Sequence, residues 1–376
     1  MNPLKLGGAS ARKLTDLVSG NVGSTSYTNI SATPGMTLLY GVLRASRLLA
    51  LGLVALWYGA NDSTDRFLVS YAVASYAASV ATGTFGEALI PHMGSTSWAS
   101  IGVFGVLAAV LTIFVPLLWE DGVSLAFVPF VLFAVVASSL SGYHAGRHGI
   151  SRLLLASHAA ALAVFVVYAV ETRGSGLDGI VLSLTAAEMA RCSVLLFTRE
   201  QPPLRGVFQP RMLWYVLAVA LFGVTGPLSR VYALRLGDGQ ASLLSYALAG
   251  VGIVATVLGS GIVVRQGHRL VGMMRAKAHQ VAGVFVLPVA LPAFIALAGV
   301  LALRIPAYVV NSTMLPILIA RHHWRFLLLI ATAQILVFVA ITPLLSATLS
   351  VSGIALGLVL IEWSIAGVFY LRVRRA

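Results

Sequence analysis

From Thr37 to Leu371 the chain is a succession of twelve apolar stretches broken by short polar turns. They run over residues 37–60, 67–91, 98–119, 125–145, 151–170, 177–198, 212–235, 239–264, 279–302, 304–320, 326–345 and 349–371. Crossing a bilayer's hydrocarbon takes about 20 predominantly apolar residues in a helix. Inside that hydrocarbon the backbone must close its hydrogen bonds within the helix itself. The pattern therefore predicts an all-α polytopic membrane protein of about 12 transmembrane helices. The tenth stretch is the weakest, being short and holding both Pro306 and Pro316.

Composition narrows this further. Of 376 residues, 59% are hydrophobic and 10% charged, against about 25% charged in soluble domains, so there is no room for a sizeable soluble domain. A net charge of +13 would suggest nucleic acid in a soluble chain, but here its placement has another meaning. With the N-terminus inside, the inner loops and ends collect most of the basic residues, while the outer loops hold only Arg66, Arg173, Arg235 and Arg304. This is the bias that sets topology: N-in and C-in, with no nucleic-acid partner. The basic residues are 22 Arg to 3 Lys on an Ala/Val/Gly background, which points to a GC-rich bacterial genome. The lone cysteine, Cys192, excludes an intrachain disulfide and a cysteine metal site.

The interruptions suggest an organisation. Residues 1–36 are polar, lack an apolar signal segment and read as a flexible cytoplasmic leader. Residues 199–211 are rich in proline and form a linker between six spans on either side, giving an N-lobe at 37–198 and a C-lobe at 212–371, with a basic tail at 372–376. The segment LVSYAVA from Leu68 to Ala74 matches LLSYALA from Leu243 to Ala249 at the same rank in each half, as a parallel repeat would. An inner basic stretch, 265–280, either lies along an anionic leaflet or is a solvated loop.

Charges inside spans are few, and each costs roughly 2.5–3.5 kcal/mol near the bilayer centre unless paired or wet. Arg44 and Arg47 share a face of the first span, about 10–15 Å from its inner end at about 1.5 Å per residue. Two cations one turn apart repel unless an anion lies between them, and the arginine fork suits phosphate; snorkelling to inner headgroups is the other reading. Glu188 and Arg191 either neutralise each other along the sixth span or line a cavity. Arg230 either snorkels outward or faces the cavity. Glu362 has no partner on its own helix, so it pairs across the bundle or acts as a protonatable coupling group. Glu87 reaches the inner interface, while His158, Asn311 and Gln334 can be satisfied by neighbouring helices. No catalytic triad, phosphate loop or metal-ligand spacing is present, which argues against an enzyme, a cofactor or a metal site.

One patch resembles a known family. In Tyr58 to Phe67 (YGANDSTDRF) and Ala88 to Pro91 (ALIP), the chain is similar to the MurJ/MviN-type lipid II flippases of the MOP exporter superfamily. Arg44 then falls on that family's early first-span arginine and Asp65 on its loop aspartate, and a weaker echo covers Arg230 to Ser260. The resemblance implies two lobes around a cavity that accepts a polyprenyl-pyrophosphate-linked sugar, with Arg44 and Asp65 on family positions. Arg47, Arg191 and Arg230 would supplement the substrate-binding set, Glu362 would titrate or bind a cation during the return, and Glu188 with Glu362 would carry ion coupling in a small-solute exporter. The chain departs from the family at Ala77 to Ser79, Gly83-Thr84 and Leu248-Ala249, where the family carries cavity charges, and it has about twelve spans rather than fourteen. The expected function is outward flipping of a lipid-linked anionic saccharide, with membrane lipids as the other partners. The alternatives are a small-solute or multidrug exporter driven by H⁺ or Na⁺, and a transport-inactive scaffold of cell-envelope synthesis.

Overall fold

The structure, a computed structural model, describes residues 39, 41–43, 48–84, 97–117, 126–148, 151–198, 200–204, 211–254, 295–320 and 323–375. The leader, Arg44, Arg47, Glu87, the basic stretch at 265–280 and most of the ninth apolar stretch lie outside the described residues. The described helices are α1 (Leu49–Tyr58), α2 (Asp62–Thr84), α3 (Trp98–Leu117), α4 (Phe127–His148), α5 (Arg152–Glu171) and α6 (Leu177–Leu196). They continue with α7 (Arg211–Gly223), α8 (Thr225–Leu234), α9 (Gln240–Val254), α10 (Ile295–Ala302), α11 (Arg304–Ala320), α12 (Trp324–Leu349) and α13 (Val351–Arg375). Six uninterrupted or once-broken segments among these are long and apolar enough to cross a membrane. Their outward faces are apolar: along α12, Leu329, Leu336 and Leu344 are exposed, as side chains meeting lipid would be. The fold class is thus an all-α polytopic membrane protein, as the apolar pattern predicts.

Apolar side chains gather in two clusters. One joins α1 to α6 around the rings of Phe67, Tyr71, Phe127 and Phe130, whose centroids lie 5.6–6.4 Å apart. The other joins α7 to α13 around Leu244, Leu301, Phe338, Ile354 and Phe369. The duplicated segments are where the clusters meet: Val69 of α2 packs into the second, and Ala249 of α9 into the first. The proline-rich stretch is held at residues 203–204, whose carbonyls accept the Trp98 and Ala99 amides at 3.0 and 3.2 Å and so close the start of α3.

Two spans are broken, and proline explains both. A proline at position i lacks an N–H and its ring clashes with the carbonyl at i−4. Pro227 sits three residues after the break at Val224 between α7 and α8, and Pro306 three after the break at Leu303 between α10 and α11. Loosened carbonyls at such breaks must find donors in hydrocarbon. Gln334 donates to the Phe222 carbonyl at 3.4 Å, Tyr76 to that of Ala220 at 2.8 Å, and Trp363 Nε1 to that of Leu303 at 2.8 Å. The second break corrects a sequence expectation. Residues 302–304 do not form an outer loop between two spans; they are a one-residue interruption set against the middle of α13, because Trp363 is the thirteenth of its 25 residues.

The α12–α13 turn is tight. Ser350 adopts a φ of 52°, and a Cβ on Gly353 would collide with the Leu345 backbone carbonyl. Gly353→Ala is therefore expected to lower stability by about 1–3 kcal/mol, the usual range for overpacking. Thermal unfolding in detergent checks this, and an unchanged melting temperature would contradict the packing.

Candidate functional site

The first turn of α2 is prearranged by its own sequence. Asn61 Oδ1 accepts the Thr64 amide at 3.1 Å while Thr64 Oγ1 accepts the Asn61 amide at 2.9 Å, a reciprocal cap. The cap aims Asp65 at the start of α9. There one carboxylate oxygen accepts the Gly239 amide at 2.7 Å, and the other accepts the Ser242 amide at 2.6 Å and the Ser242 hydroxyl. Thr64 Oγ1 lies 3.0 Å from Ser242 Oγ. Asp65 is fully buried, so its charge is matched by the amides and positive end of another helix. Gly239 is needed for this approach: its φ is +80°, and a Cβ there would come within 3.3 Å of the Ala60 carbonyl oxygen. Next to it, Tyr246 donates to the Gly59 carbonyl at 2.5 Å. Asp65, expected from the resemblance to touch substrate, is committed here to joining α2 to α9.

In α6, Glu188 and Arg191 form the pair that their spacing suggested, at 3.4 Å, and each side chain is only 4% exposed. Arg191 also donates to Ser141 at 2.6 Å and to Ser138 at 3.3 Å, both on α4. One face of Glu188 borders a small cavity of about 30 Å³ that is also lined by His158 and Tyr71, room for about one water. Cys192 packs below, with its thiol donating to the Phe133 carbonyl at 3.2 Å.

The second polar cluster lies beside the helix breaks. Glu362 pairs across the bundle: one oxygen accepts from Arg304 at 2.7 Å and the other from Asn311 Nδ2 at 2.9 Å. The side chains of Arg304 and Glu362 are 22% and 19% exposed. Arg304, expected in an outer loop, is instead the first residue of α11 and reaches the middle of α13. Half-buried Arg230 on α8 donates from Nε to Ser245 at 3.0 Å and from a terminal nitrogen to the Gly226 carbonyl at 2.9 Å. It is therefore held among helices rather than directed to headgroups.

No protein-family model matches the chain, and no curated protein matches it. Its backbone does match solved structures. The crystal structure of MATE in complex with MaL6 aligns over 90% of this chain and 94% of that one, with a TM-score of 0.56 at 10% identity. MATE in the bent conformation gives 0.51 over 90% and 93% at 12% identity. MATE in complex with Br-NRF gives 0.50 over 92% and 96%, also at 12% identity. The chain has the MATE fold.

The likeness is one of backbone fold: an all-α membrane bundle aligned over nine-tenths of both chains. Within this MATE fold, sequence reading missed Arg304, Gly239 and Ser242 as site residues. The signal for Arg304 was available: Thr225-Gly226-Pro227 and Arg304-Ile305-Pro306 place proline at the same position of two helices that restart inside the membrane. Among the described residues no group of three or more His, Cys, Asp or Glu could hold a metal ion.

Proposed function

We propose that this chain is an alternating-access membrane exporter whose cargo is an anionic, lipid-linked saccharide carried on a polyprenyl pyrophosphate. The observation that carries the reading is the charge left over once the described pairs are formed. Leaving aside residues at the span ends, the sequence places Arg44, Arg47, Arg191, Arg230 and, on the structure, Arg304 inside spans, against Glu188 and Glu362. Glu188 is engaged by Arg191 and Glu362 by Arg304, while among the described residues Arg230 bonds only neutral oxygens. The embedded excess is positive, which suits an anionic cargo and opposes a cationic one. Arg44 and Arg47 on the first span would take the pyrophosphate, and Arg230 would extend the basic wall. No chemistry on the cargo is required, in keeping with a non-enzymatic role.

Vesicles carrying the purified protein and a fluorescent polyprenyl-pyrophosphate saccharide test this. Arg44→Ala/Arg47→Ala is expected to slow translocation at least tenfold, since one lost charge-assisted contact is worth about 1.5–3 kcal/mol. An unchanged rate would remove the proposed mechanism.

The MATE fold itself favours a second reading, a small-solute exporter coupled to H⁺ or Na⁺, in which Glu188 and Glu362 rather than the arginines would dominate. Two of the MATE structures are complexes, with MaL6 and with Br-NRF. Under that reading, Glu188→Gln or Glu362→Gln abolishes ion-driven export while leaving lipid binding intact.

A further inference from the structure

We propose that Arg304 and Arg230 form a phosphate-binding site at mid-membrane in the second helix cluster, and that Glu362 is its resident, displaceable counter-anion. The inference rests on the reading of an anionic cargo and assigns part of that cargo's contact to residues that neither the resemblance nor the span pattern combined.

The Arg304–Glu362 pair is incomplete. A guanidinium facing a carboxylate squarely engages it with two parallel N–H groups. Arg304 uses a single terminal nitrogen, at 2.7 Å, and its Nε is buried with no acceptor among the described residues. Asn311 shows the complement: its amide nitrogen reaches Glu362, while its Oδ1 is buried with no donor among the described residues. A buried donor and a buried acceptor left open beside one carboxylate are unfavourable in the empty protein. They match a phosphate oxygen on the Arg304 side and a hydroxyl on the Asn311 side.

Arg230 supplies the second cation. Its helix, α8, packs against both α2 and α13, which carries Glu362, and Arg230 lies within electrostatic reach of Arg304. Arg230 and Arg304 carry two positive charges and Glu362 one negative, leaving one net positive charge to attract an anion. Arg304 also begins α11, a 17-residue helix starting beside the break at Leu303. Broken helices in transporters direct such amino-terminal ends at anionic groups. An arriving phosphate would take both guanidinium groups and release Glu362, coupling occupancy to the packing of α13 against α11.

This arrangement makes an expectation of unusual sign. If Glu362 competes with the ligand, Glu362→Gln must tighten anion binding. If the pair only holds helices together, the same change cannot do so. Titration of the full-length protein in detergent with inorganic pyrophosphate and with geranylgeranyl pyrophosphate, with geranylgeraniol as the uncharged control, measures this. Glu362→Gln is expected to raise affinity for both pyrophosphates at least tenfold, and Arg304→Gln and Arg230→Gln to lower it at least tenfold. Asn311→Asp adds a second resident carboxylate and is expected to weaken binding; it keeps the proposal testable should Glu362→Gln misfold.

Unchanged or weaker binding in Glu362→Gln, with a monodisperse protein, overturns the proposal. So does unchanged affinity in Asn311→Asp. Losing the site this way while the wild type still flips the lipid-linked saccharide leaves the proposed function standing. Tighter binding of inorganic pyrophosphate in Glu362→Gln, with no preference for the lipid form and no flipping, keeps the site and removes the proposed cargo.

Discussion

Asp65→Asn is expected to open the junction between α2 and α9. Asp65 is buried, and its two oxygens receive the Gly239 amide, the Ser242 amide and the Ser242 hydroxyl, all from the start of α9. Asparagine keeps the shape but turns an NH₂ toward one of these donors, so a hydrogen bond is replaced by a donor–donor clash and the charge that faced the helix end is lost. Bonds to a charged group contribute about 1.5–3 kcal/mol each, so a loss of about 3 kcal/mol, roughly a hundredfold in the closed-to-open equilibrium, is expected. Tyr246 and Thr64 bond across the same junction, which limits the effect to opening rather than unfolding. A cysteine at Val69, buried between the two clusters, reports it through its labelling rate with a membrane-impermeant maleimide, and native Cys192 is itself buried. Labelling that stays at the wild-type rate would show that the Asp65 junction does not hold the two helix groups together.

Glu188→Gln is expected to be the most destabilising single change in the first helix cluster. It leaves Arg191, 4% exposed, with only neutral acceptors (Ser138, Ser141 and the new amide oxygen) and no counter-charge among the described residues, while its Nε already has no acceptor among them. Removing one partner of a buried pair typically costs about 3–5 kcal/mol, whereas replacing both by apolar residues is often neutral. Glu188→Leu/Arg191→Met should therefore melt well above Glu188→Gln in the same detergent. Equal melting temperatures would show that the pair is hydrated. If the apolar double variant still transports, the pair is structural and Glu188 is not an ion-coupling group, which bears directly on the small-solute reading.

The two junctions differ in how far a linear reading could reach. Asn61 to Arg66 announces a capped helix start with a carboxylate in its first turn, and that much is local. Its partners, Gly239 and Ser242, lie 174 and 177 residues away, a distance at which no periodicity operates. Glu188 and Arg191 are one helical turn apart, so their pairing was readable from spacing alone. Arg304 was misplaced for a physical reason. A proline that interrupts a helix and a proline that ends one look alike in a hydropathy profile, so the apolar runs 279–302 and 304–320 on either side of Leu303 read as two spans. Whether the chain turned back or carried on past the break depended on α13, whose Trp363 indole takes the Leu303 carbonyl.

The sequence by itself determined that this is a bundle of membrane-crossing helices and that a few charged side chains lie inside them. Those follow from segment length and from counting, both of which are properties of neighbouring residues. The tertiary structure alone decided which charges cancel. In hydrocarbon a charged group must find its counterpart wherever the fold presents one, so the roles of Asp65, Arg230, Arg304 and Glu362 were set by helices distant in the chain and adjacent in space.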